Sequence, residues 1–178
     1  QISPHFLYNT LDSIIWMAEG RKYEEVVLMT ASLARLLRQS ISNEDEVVPL
    51  AREVEYAKGY LTIQKMRYKD KLEFEIDVEP SILNIPLIKL VLQPIIENAI
   101  YHGLKYKESK GLLQVKGFMK DGNAVLQVID NGVGMDEETL SHIYDKHKVN
   151  YHSNGVGVYN VQKRLKLYYG ENYGITYE

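Results

Sequence analysis

The spacing of apolar residues changes near Lys71, and this change constrains the fold more than any other feature of the chain. Up to residue 70, apolar residues recur every three or four positions, as they do along one face of a helix. From Leu72 to Val78, apolar and polar residues alternate, which is typical of a half-buried strand. The sequence therefore predicts a helical region at 1–70 and a mixed region at 71–178.

The helical region contains three amphipathic stretches, predicted as helices at 6–18, 24–41 and 49–68. In the first helix, one face is apolar and is expected to be buried: Leu7, Leu11, Ile14, Ile15 and Ala18. The opposite face carries polar residues and one tryptophan: His5, Asn9, Asp12 and Trp16. Three such helices without an internal repeat are typical of an association module.

The mixed region alternates strand-like and helix-like segments. Pro94 lacks a backbone N–H and is expected to kink or interrupt a helix that begins near Pro86. The predicted segments, in order, are strand 72–78, helix 85–104, hairpin strands 112–118 and 124–130, helices 136–144 and 158–169, and strand 173–177. This order predicts an α+β sandwich with helices on one face of a mixed sheet.

Composition and charge narrow the function classes. The net charge of -3 gives no reason to expect direct binding of nucleic acid or anionic lipid. The chain has no cysteine, which excludes a disulfide framework and thiolate chemistry. No apolar run reaches about eighteen residues, so the sequence predicts no membrane-spanning helix. Because the chain opens at Gln1 without a methionine, we expect it to be a piece of a longer protein.

The first motif of chemical interest is Glu97-Asn98-Ala99-Ile100-Tyr101-His102-Gly103. It places Asn98 and His102 four residues apart on one helix face, beside Glu97. A neutral amide oxygen can bind Mg²⁺ without adding negative charge near a triphosphate, and a carboxylate can hold water or metal. The alternative interpretation is a polar helix end without a ligand.

The second motif, Asp130-Asn131-Gly132-Val133-Gly134-Met135, directly follows a predicted strand. Its glycines allow close backbone approach to a planar ligand, and the Asp130 carboxylate can accept a hydrogen bond from an exocyclic amine. Such a charge-assisted bond is worth about 1.5–3 kcal/mol, enough to favour adenine over a base with a carbonyl there. The alternative is an ordinary glycine-containing turn.

The third motif is Gly155-Val156-Gly157-Val158-Tyr159-Asn160, at the start of a predicted helix. Glycines at this position let backbone amides approach a phosphate, and a helix N-terminus favours anionic oxygen. A lone Gly-x-Gly is weak evidence, since a flexible loop end has the same composition. The three motifs in this order, at these element boundaries, are a much stronger indication.

Together the three motifs resemble the N, G1 and G2 boxes of the GHKL ATP-binding fold shared by histidine kinases, gyrase, Hsp90 and MutL. The opening segment, Gln1-Ile2-Ser3-Pro4-His5-Phe6-Leu7-Tyr8-Asn9, resembles the phosphoacceptor segment of one branch of bacterial sensor histidine kinases. That branch has the form Gln-x-x-Pro-His-Phe-Leu-(Phe/Tyr)-Asn. Leu92-Gln93-Pro94 and Arg164-Leu165 are also typical of it.

The resemblance implies a sensor kinase of a two-component system that uses ATP and Mg²⁺. Its implied partners are a response regulator of AraC or LytTR type and a second copy in a homodimer. The parent protein would be anchored in the bacterial inner membrane, with this portion in the cytoplasm. The implied roles are His5 as phosphoacceptor, Asn98 as Mg²⁺ ligand, Asp130 as adenine reader, Gly132 and Gly134 in the adenine pocket, Gly155 and Gly157 at the end of a lid, and His102 and Asn160 as further nucleotide contacts.

The chemistry of an imidazole agrees with the role implied for His5. A free imidazole has a pKa of about 6.5, so near pH 7 it is mostly neutral, with a ring nitrogen able to attack a γ-phosphoryl group. Many histidine kinases have an acid directly after this histidine as a base, but here Phe6 stands there. Asp12 and Glu97 are the candidate bases. Asn9 is either a group that orients water during dephosphorylation of the regulator or an ordinary surface amide.

Other functions remain open on the sequence alone. A GHKL ATPase without a histidine acceptor needs an acid that activates water, and Glu97 could serve. A dimerising scaffold without enzymatic activity would not bind ATP. A zinc site from His142, His147 and His152 has no cysteine to support it.

Overall fold

The computed structural model describes residues 3–41, 46–104, 107–137, 140 and 155–178. Helices and short strands alternate along these residues. The elements are α1 (Pro4–Glu19), α2 (Tyr23–Ile41), β1 (Val47–Pro49), α3 (Leu50–Tyr68), β2 (Leu72–Val78), β3 (Pro86–Ile88), α4 (Leu92–Asn98), β4 (Gly111–Lys120), β5 (Asn123–Asp130) and α5 (Gly155–Tyr169). After Asn98 the chain continues as a π-helix over Ala99–Leu104. No helix of this described part is long and apolar enough to cross a membrane.

A mixed three-stranded sheet forms the centre of the second region. Strand β4 lies between β2, to which it runs parallel, and β5, to which it runs antiparallel. The β4–β5 turn has positive φ at Asp121 and Gly122, 50° and 79°, as a two-residue hairpin turn requires. The predictions of the hairpin and of an α+β fold with a mixed sheet are therefore confirmed.

One apolar core connects the helices to this sheet. Helix α3 packs against α2 on one side and against β2 and α4 on the other. The core draws buried residues from every layer: Phe6, Met29, Leu36, Tyr60, Leu61, Ile63, Ile96, Leu113 and Val115. Since α3 contributes to both regions, the predicted division at residue 70 stays a prediction.

The predicted buried face of the first helix is only partly correct. Helix α1 buries Phe6, Thr10 and Met17, while Leu11 and Ile15 are 47% and 56% exposed. Thr10 tolerates burial because its hydroxyl donates a hydrogen bond to the Phe6 carbonyl oxygen at 2.7 Å. The helix thus has two apolar faces, and the chain itself covers one of them.

The predicted helix over 85–104 begins too early. Pro86 lies in β3, paired with Pro49 of β1, and α4 begins at Leu92. Pro94 is in the first turn of α4, where a helix does not need the missing N–H, so it causes no interruption. The buried carboxylate of Glu53 accepts hydrogen bonds from the backbone N–H groups of Leu90, Val91 and Leu92, at 2.7, 2.9 and 2.9 Å. It therefore fixes where this helix starts.

The C-terminal predictions have mixed outcomes. The last helix is present and begins at Gly155, three residues before its predicted start. The predicted strand at 173–177 is wrong, since these residues form no ladder. Instead, the Ile175 N–H donates to Gln162 Oε1 on α5 at 2.6 Å. The predicted helix at 136–144 lies mostly outside the described residues.

Candidate active site

The first motif spans the end of α4 and the π-helix, so a change of helical pitch falls inside it. Glu97 is partly buried, and its Oε1 accepts a hydrogen bond from Gln93 Nε2 at 2.8 Å. Burial raises the pKa of Glu97 above its ordinary value, and the Gln93 hydrogen bond opposes this increase. A carboxylate with a raised pKa is a stronger proton acceptor, which suits a general base. Asn98 is partly exposed beside it.

The second motif contacts the first through two glycines. The Val133 N–H donates to the Gly103 carbonyl oxygen at 3.1 Å. A Cβ added at Gly132 would lie 2.3 Å from that oxygen, and a Cβ added at Gly103 would lie 2.6 Å from Asp130 Oδ1. Only glycine at both positions permits this approach. The structure thus brings Asp130 and Gly132 to the π-helix, and the sequence interpretation had assigned no role to Gly103.

Local hydrogen bonds shape the loop that carries Asp130. The exposed Asp130 carboxylate accepts from the Gly132 N–H at 2.9 Å, which orients it at the end of β5. Asn131 Oδ1 accepts from the Leu112 N–H of β4 at 2.8 Å and ties the loop to the sheet. Gly134 has a φ of 72°, which favours glycine, and no atom would lie within 4 Å of a Cβ there. The loop is therefore anchored at its start and open toward Gly134.

The third motif begins α5 and packs against α4. A Cβ added at Gly157 would lie 3.2 Å from Pro94 Cβ, so this glycine allows close helix packing. Val158 is fully buried, and Asn160 is exposed. Gly155 is the first residue of α5, and residues 141–154 before it lie outside the described part. The lid role of Gly155 and Gly157 stays a prediction, as does nucleotide contact by Asn160.

His5 lies in the first turn of α1, and its side chain is exposed. Ser3 caps this helix, with its hydroxyl oxygen accepting from the Phe6 N–H at 3.1 Å. Asn9 Nδ2 lies 3.1 Å from both ring nitrogens of His5. The His5 ring also lies beside Tyr101, with centroids 6.3 Å apart and planes inclined by 53°. The structure therefore brings the histidine to the π-helix that continues the first motif.

Phe6 explains why no acid follows the histidine in this chain. Its side chain is 2% exposed and stacks on Tyr60 of α3, with centroids 4.9 Å apart. A carboxylate at this position would be buried in the apolar core. Asp12, the other candidate base, lies with Asn9 on the wall of a cavity of about 550 Å³ between α1 and the end of α3.

The structure does not bring the remaining predicted site residues together in the described part of the chain. His102 is exposed on the π-helix. The zinc alternative, His142, His147 and His152, lies outside the described residues, and the part that is described contains no group of three potential metal ligands of this kind. Glu53, Tyr101 and Gly103 were missed, because their roles depend on contacts with distant segments.

Comparisons with known proteins agree with this arrangement. A family model described as "Histidine kinase" matches residues 1–72. Another, described as "Histidine kinase-, DNA gyrase B-, and HSP90-like ATPase", matches residues 84–177. The chain belongs to the family of histidine kinase-, DNA gyrase B- and HSP90-like ATPases, and the histidine kinase model matches the region that precedes this part. Both the sequence resemblance and the predicted fold class are confirmed.

Curated relatives match almost the whole chain. Sensor histidine kinase YesM of Bacillus subtilis is 34% identical over 98% of the chain, which corresponds to 29% of YesM. Sensor protein LytS of Oceanobacillus iheyensis is 33% identical over 97% of the chain and 30% of LytS. Sensor histidine kinase BtsS of Escherichia coli is 29% identical over 99% of the chain and 29% of BtsS. The chain thus spans about 30% of the length of these relatives.

Proposed function

We propose that this chain uses ATP to phosphorylate His5 and passes the phosphoryl group to an aspartate of a response regulator. The observation that carries the proposal is the contact of His5 with Tyr101, on the helix that also bears Glu97 and Asn98. Phosphoryl transfer depends mainly on positioning and on charge stabilisation. A phosphoacceptor beside the nucleotide motif meets the first of these needs.

The reaction assigns a role to each group. A lone pair of a His5 ring nitrogen forms a bond to the γ-phosphorus, while the bond to the bridging oxygen breaks and its electron pair leaves with ADP. The proton displaced from the ring needs an acceptor, and the partly buried Glu97 carboxylate is the proposed base. Asp130 would accept a hydrogen bond from the exocyclic amine of adenine, since its carboxylate is exposed at the end of β5.

Magnesium fits the donors at the end of α4. The Asn98 amide offers an oxygen ligand of the kind that Mg²⁺ accepts, beside the carboxylate of Glu97, the proposed base. When bound, the ion would neutralise charge on the β- and γ-phosphates. We propose Asn98 as the protein ligand that holds it.

A homodimer is the proposed assembly, because α1 and α2 expose apolar residues that the described part of the chain leaves uncovered. Leu11 and Ile15 on α1 are about half exposed, and Val27 and Leu28 on α2 are 68% and 53% exposed. A second copy of the same two helices is the proposed cover. The parent protein is proposed to be a membrane-anchored sensor with this portion in the cytoplasm, and its regulator to be of AraC or LytTR type.

Radiolabel transfer from γ-labelled ATP tests the function. The expected product is an acid-labile, base-stable label on the chain that is absent in His5→Gln. Persistence of the label in that variant would exclude His5 as the acceptor. Release of phosphate at an equal rate in both proteins would indicate an ATPase without a histidine acceptor.

Nucleotide binding is tested separately by thermal stability. A ligand that binds only the folded state raises its stability, so ATP with Mg²⁺ should raise Tm. We expect Asp130→Asn to abolish this increase while Tm without nucleotide stays close to that of the wild type. No effect of nucleotide on the wild-type Tm would favour a scaffold without enzymatic activity.

A further inference from the structure

A path of side-chain contacts leads from the phosphoacceptor into α3. Phe6, adjacent to His5, stacks on Tyr60. The Tyr60 hydroxyl accepts a hydrogen bond from Gln64 Nε2 at 2.7 Å, and both residues are buried. Gln64 Oε1 in turn accepts from Arg67 Nη1 at 2.9 Å. The start of α1 is thereby connected to a polar row along one face of α3.

The path returns to His5 through Tyr101. The Tyr101 hydroxyl is buried and has no partner in strict hydrogen-bonding geometry among the described residues, but the Arg67 side chain lies near enough to interact with it. Burial raises the pKa of this phenol, and Arg67 opposes the increase mainly through its positive charge and to a smaller extent through hydrogen bonding. The ring of Tyr101 lies beside the His5 imidazole. Tyr101 therefore links α3 and the π-helix to the phosphoacceptor.

The contacts of His5 differ in how far they orient its imidazole ring. Its side chain is exposed in the first helical turn. Asn9 Nδ2 is equally distant from Nδ1 and Nε2, so it does not distinguish the two ring nitrogens. The tilted contact with Tyr101 is the one that restricts the plane of the imidazole, as aromatic pairs at this separation do.

We propose that Tyr101 is a positioning residue that orients the His5 imidazole for phosphoryl transfer. This inference rests on the proposed function and adds a residue to it. The ring of Tyr101 carries the effect, and its hydroxyl does not. Orientation of the attacking nitrogen matters because small misplacements of a reacting group are costly in rate.

Two variants separate the ring from the hydroxyl. Tyr101→Phe keeps the ring and removes only the hydroxyl with its interaction with Arg67, so it is the matched control for the ring. Tyr101→Leu removes the ring and keeps an apolar side chain. For each protein we would measure the affinity for ADP, the rate of phosphohistidine formation at saturating ATP, and the NMR shifts of the His5 ring protons, which a neighbouring aromatic ring perturbs.

A positioning role for the Tyr101 ring predicts different results for the two variants. Tyr101→Phe should keep the wild-type rate and the ring-current shift. Tyr101→Leu should lose the shift and slow phosphohistidine formation by about tenfold to a hundredfold, with ADP affinity unchanged. A merely structural role would lower ADP affinity and Tm together with the rate.

Three results would overturn the inference. One is a Tyr101→Leu protein that forms phosphohistidine at the wild-type rate. Another is a Tyr101→Phe protein as slow as Tyr101→Leu. The third is the absence of a ring-current shift at His5 in the wild type, which needs no variant to fold. A wild-type chain that binds nucleotide and forms no phosphohistidine would overturn the proposed function itself, and this inference with it.

Discussion

Gly132 and Gly103 touch backbone to backbone, so that a methyl group at Gly132 would lie 2.3 Å from the Gly103 carbonyl oxygen. This contact joins the loop after β5 to the π-helix and so joins the proposed adenine reader to the helix of the proposed Mg²⁺ ligand. It is the point at which two motifs about 30 residues apart in sequence become one candidate site.

The first prediction concerns this contact. Gly132→Ala should displace the loop from the π-helix, because the new Cβ meets rigid backbone. We expect the affinity for ADP to fall at least tenfold, measured by calorimetry. Gly59→Ala in α3 is the matched control, since its Cβ would lie 3.6 Å from Leu36 Cδ1 of α2, an ordinary van der Waals contact. It should leave ADP affinity unchanged and stabilise the helix by about 0.5–1 kcal/mol.

The second prediction concerns Glu53, whose carboxylate accepts three backbone hydrogen bonds before and at the start of α4. Glu53→Gln replaces one acceptor oxygen with a donor that faces these N–H groups. The free energy of unfolding should fall by about 2–3 kcal/mol, as is typical when buried polar groups lose their partners. Urea denaturation would measure it. Glu55→Gln, at an exposed pair with Arg52, should change it by less than about 0.5 kcal/mol. Equal losses in the two variants would contradict this account.

The third prediction concerns the anchoring of α1. Phe6→Ala removes a core side chain stacked on Tyr60 and should lower the free energy of unfolding by about 3–5 kcal/mol. Tyr8→Ala, at a 70% exposed position two residues along, should cost less than about 0.5 kcal/mol. Denaturant unfolding of both variants measures these changes in the free energy of unfolding. A small loss for Phe6→Ala would show that the first turn of α1 is not held by the core.

The sequence predicted correctly the elements whose formation depends only on neighbouring residues. The alternation in β2 and the Asp121-Gly122 turn depend on neighbouring residues only, and both were predicted correctly. The start of α4 was not, because a glutamate about 40 residues earlier determines it. The strand predicted at 173–177 is absent because its backbone pairs with a side chain of α5 instead of a strand.

The same difference between local and long-range determinants applies to the candidate site residues. Motif spacing singled out Asp130, Gly132 and the histidine as candidates, whereas it gave no role to Tyr101 or Gly103, whose proposed roles rest on contacts across the fold. Helical periodicity could not tell which apolar face of α1 packs inside, since both faces satisfy the pattern. Burial of Thr10 in that face required a hydrogen bond to its own helix.

The last prediction concerns the pH dependence of stability. Burial raises the pKa of Glu97, and the hydrogen bond from Gln93 opposes this. The negative charge of Glu97 helps to raise the pKa values of three neighbouring phenols, Tyr56, Tyr60 and Tyr101. Between the ordinary and the raised pKa of Glu97, the folded chain holds a proton that the unfolded chain has released. Stability contributed by this group therefore falls as pH rises through that window.

Glu97→Gln removes the titrating carboxylate and therefore tests whether Glu97 causes this pH dependence of stability. Without nucleotide or Mg²⁺, the variant should be more stable than the wild type above the window, and the difference should disappear below it. Urea denaturation between about pH 4 and pH 8 measures both curves. Gln93→Leu should move the loss of stability to higher pH, because it removes the hydrogen bond that favours the charged carboxylate. Parallel curves for the wild type and Glu97→Gln at every pH would mean that the carboxylate stays solvated. The proposed base would then have to be sought elsewhere, with Asp12 on α1 as the next candidate.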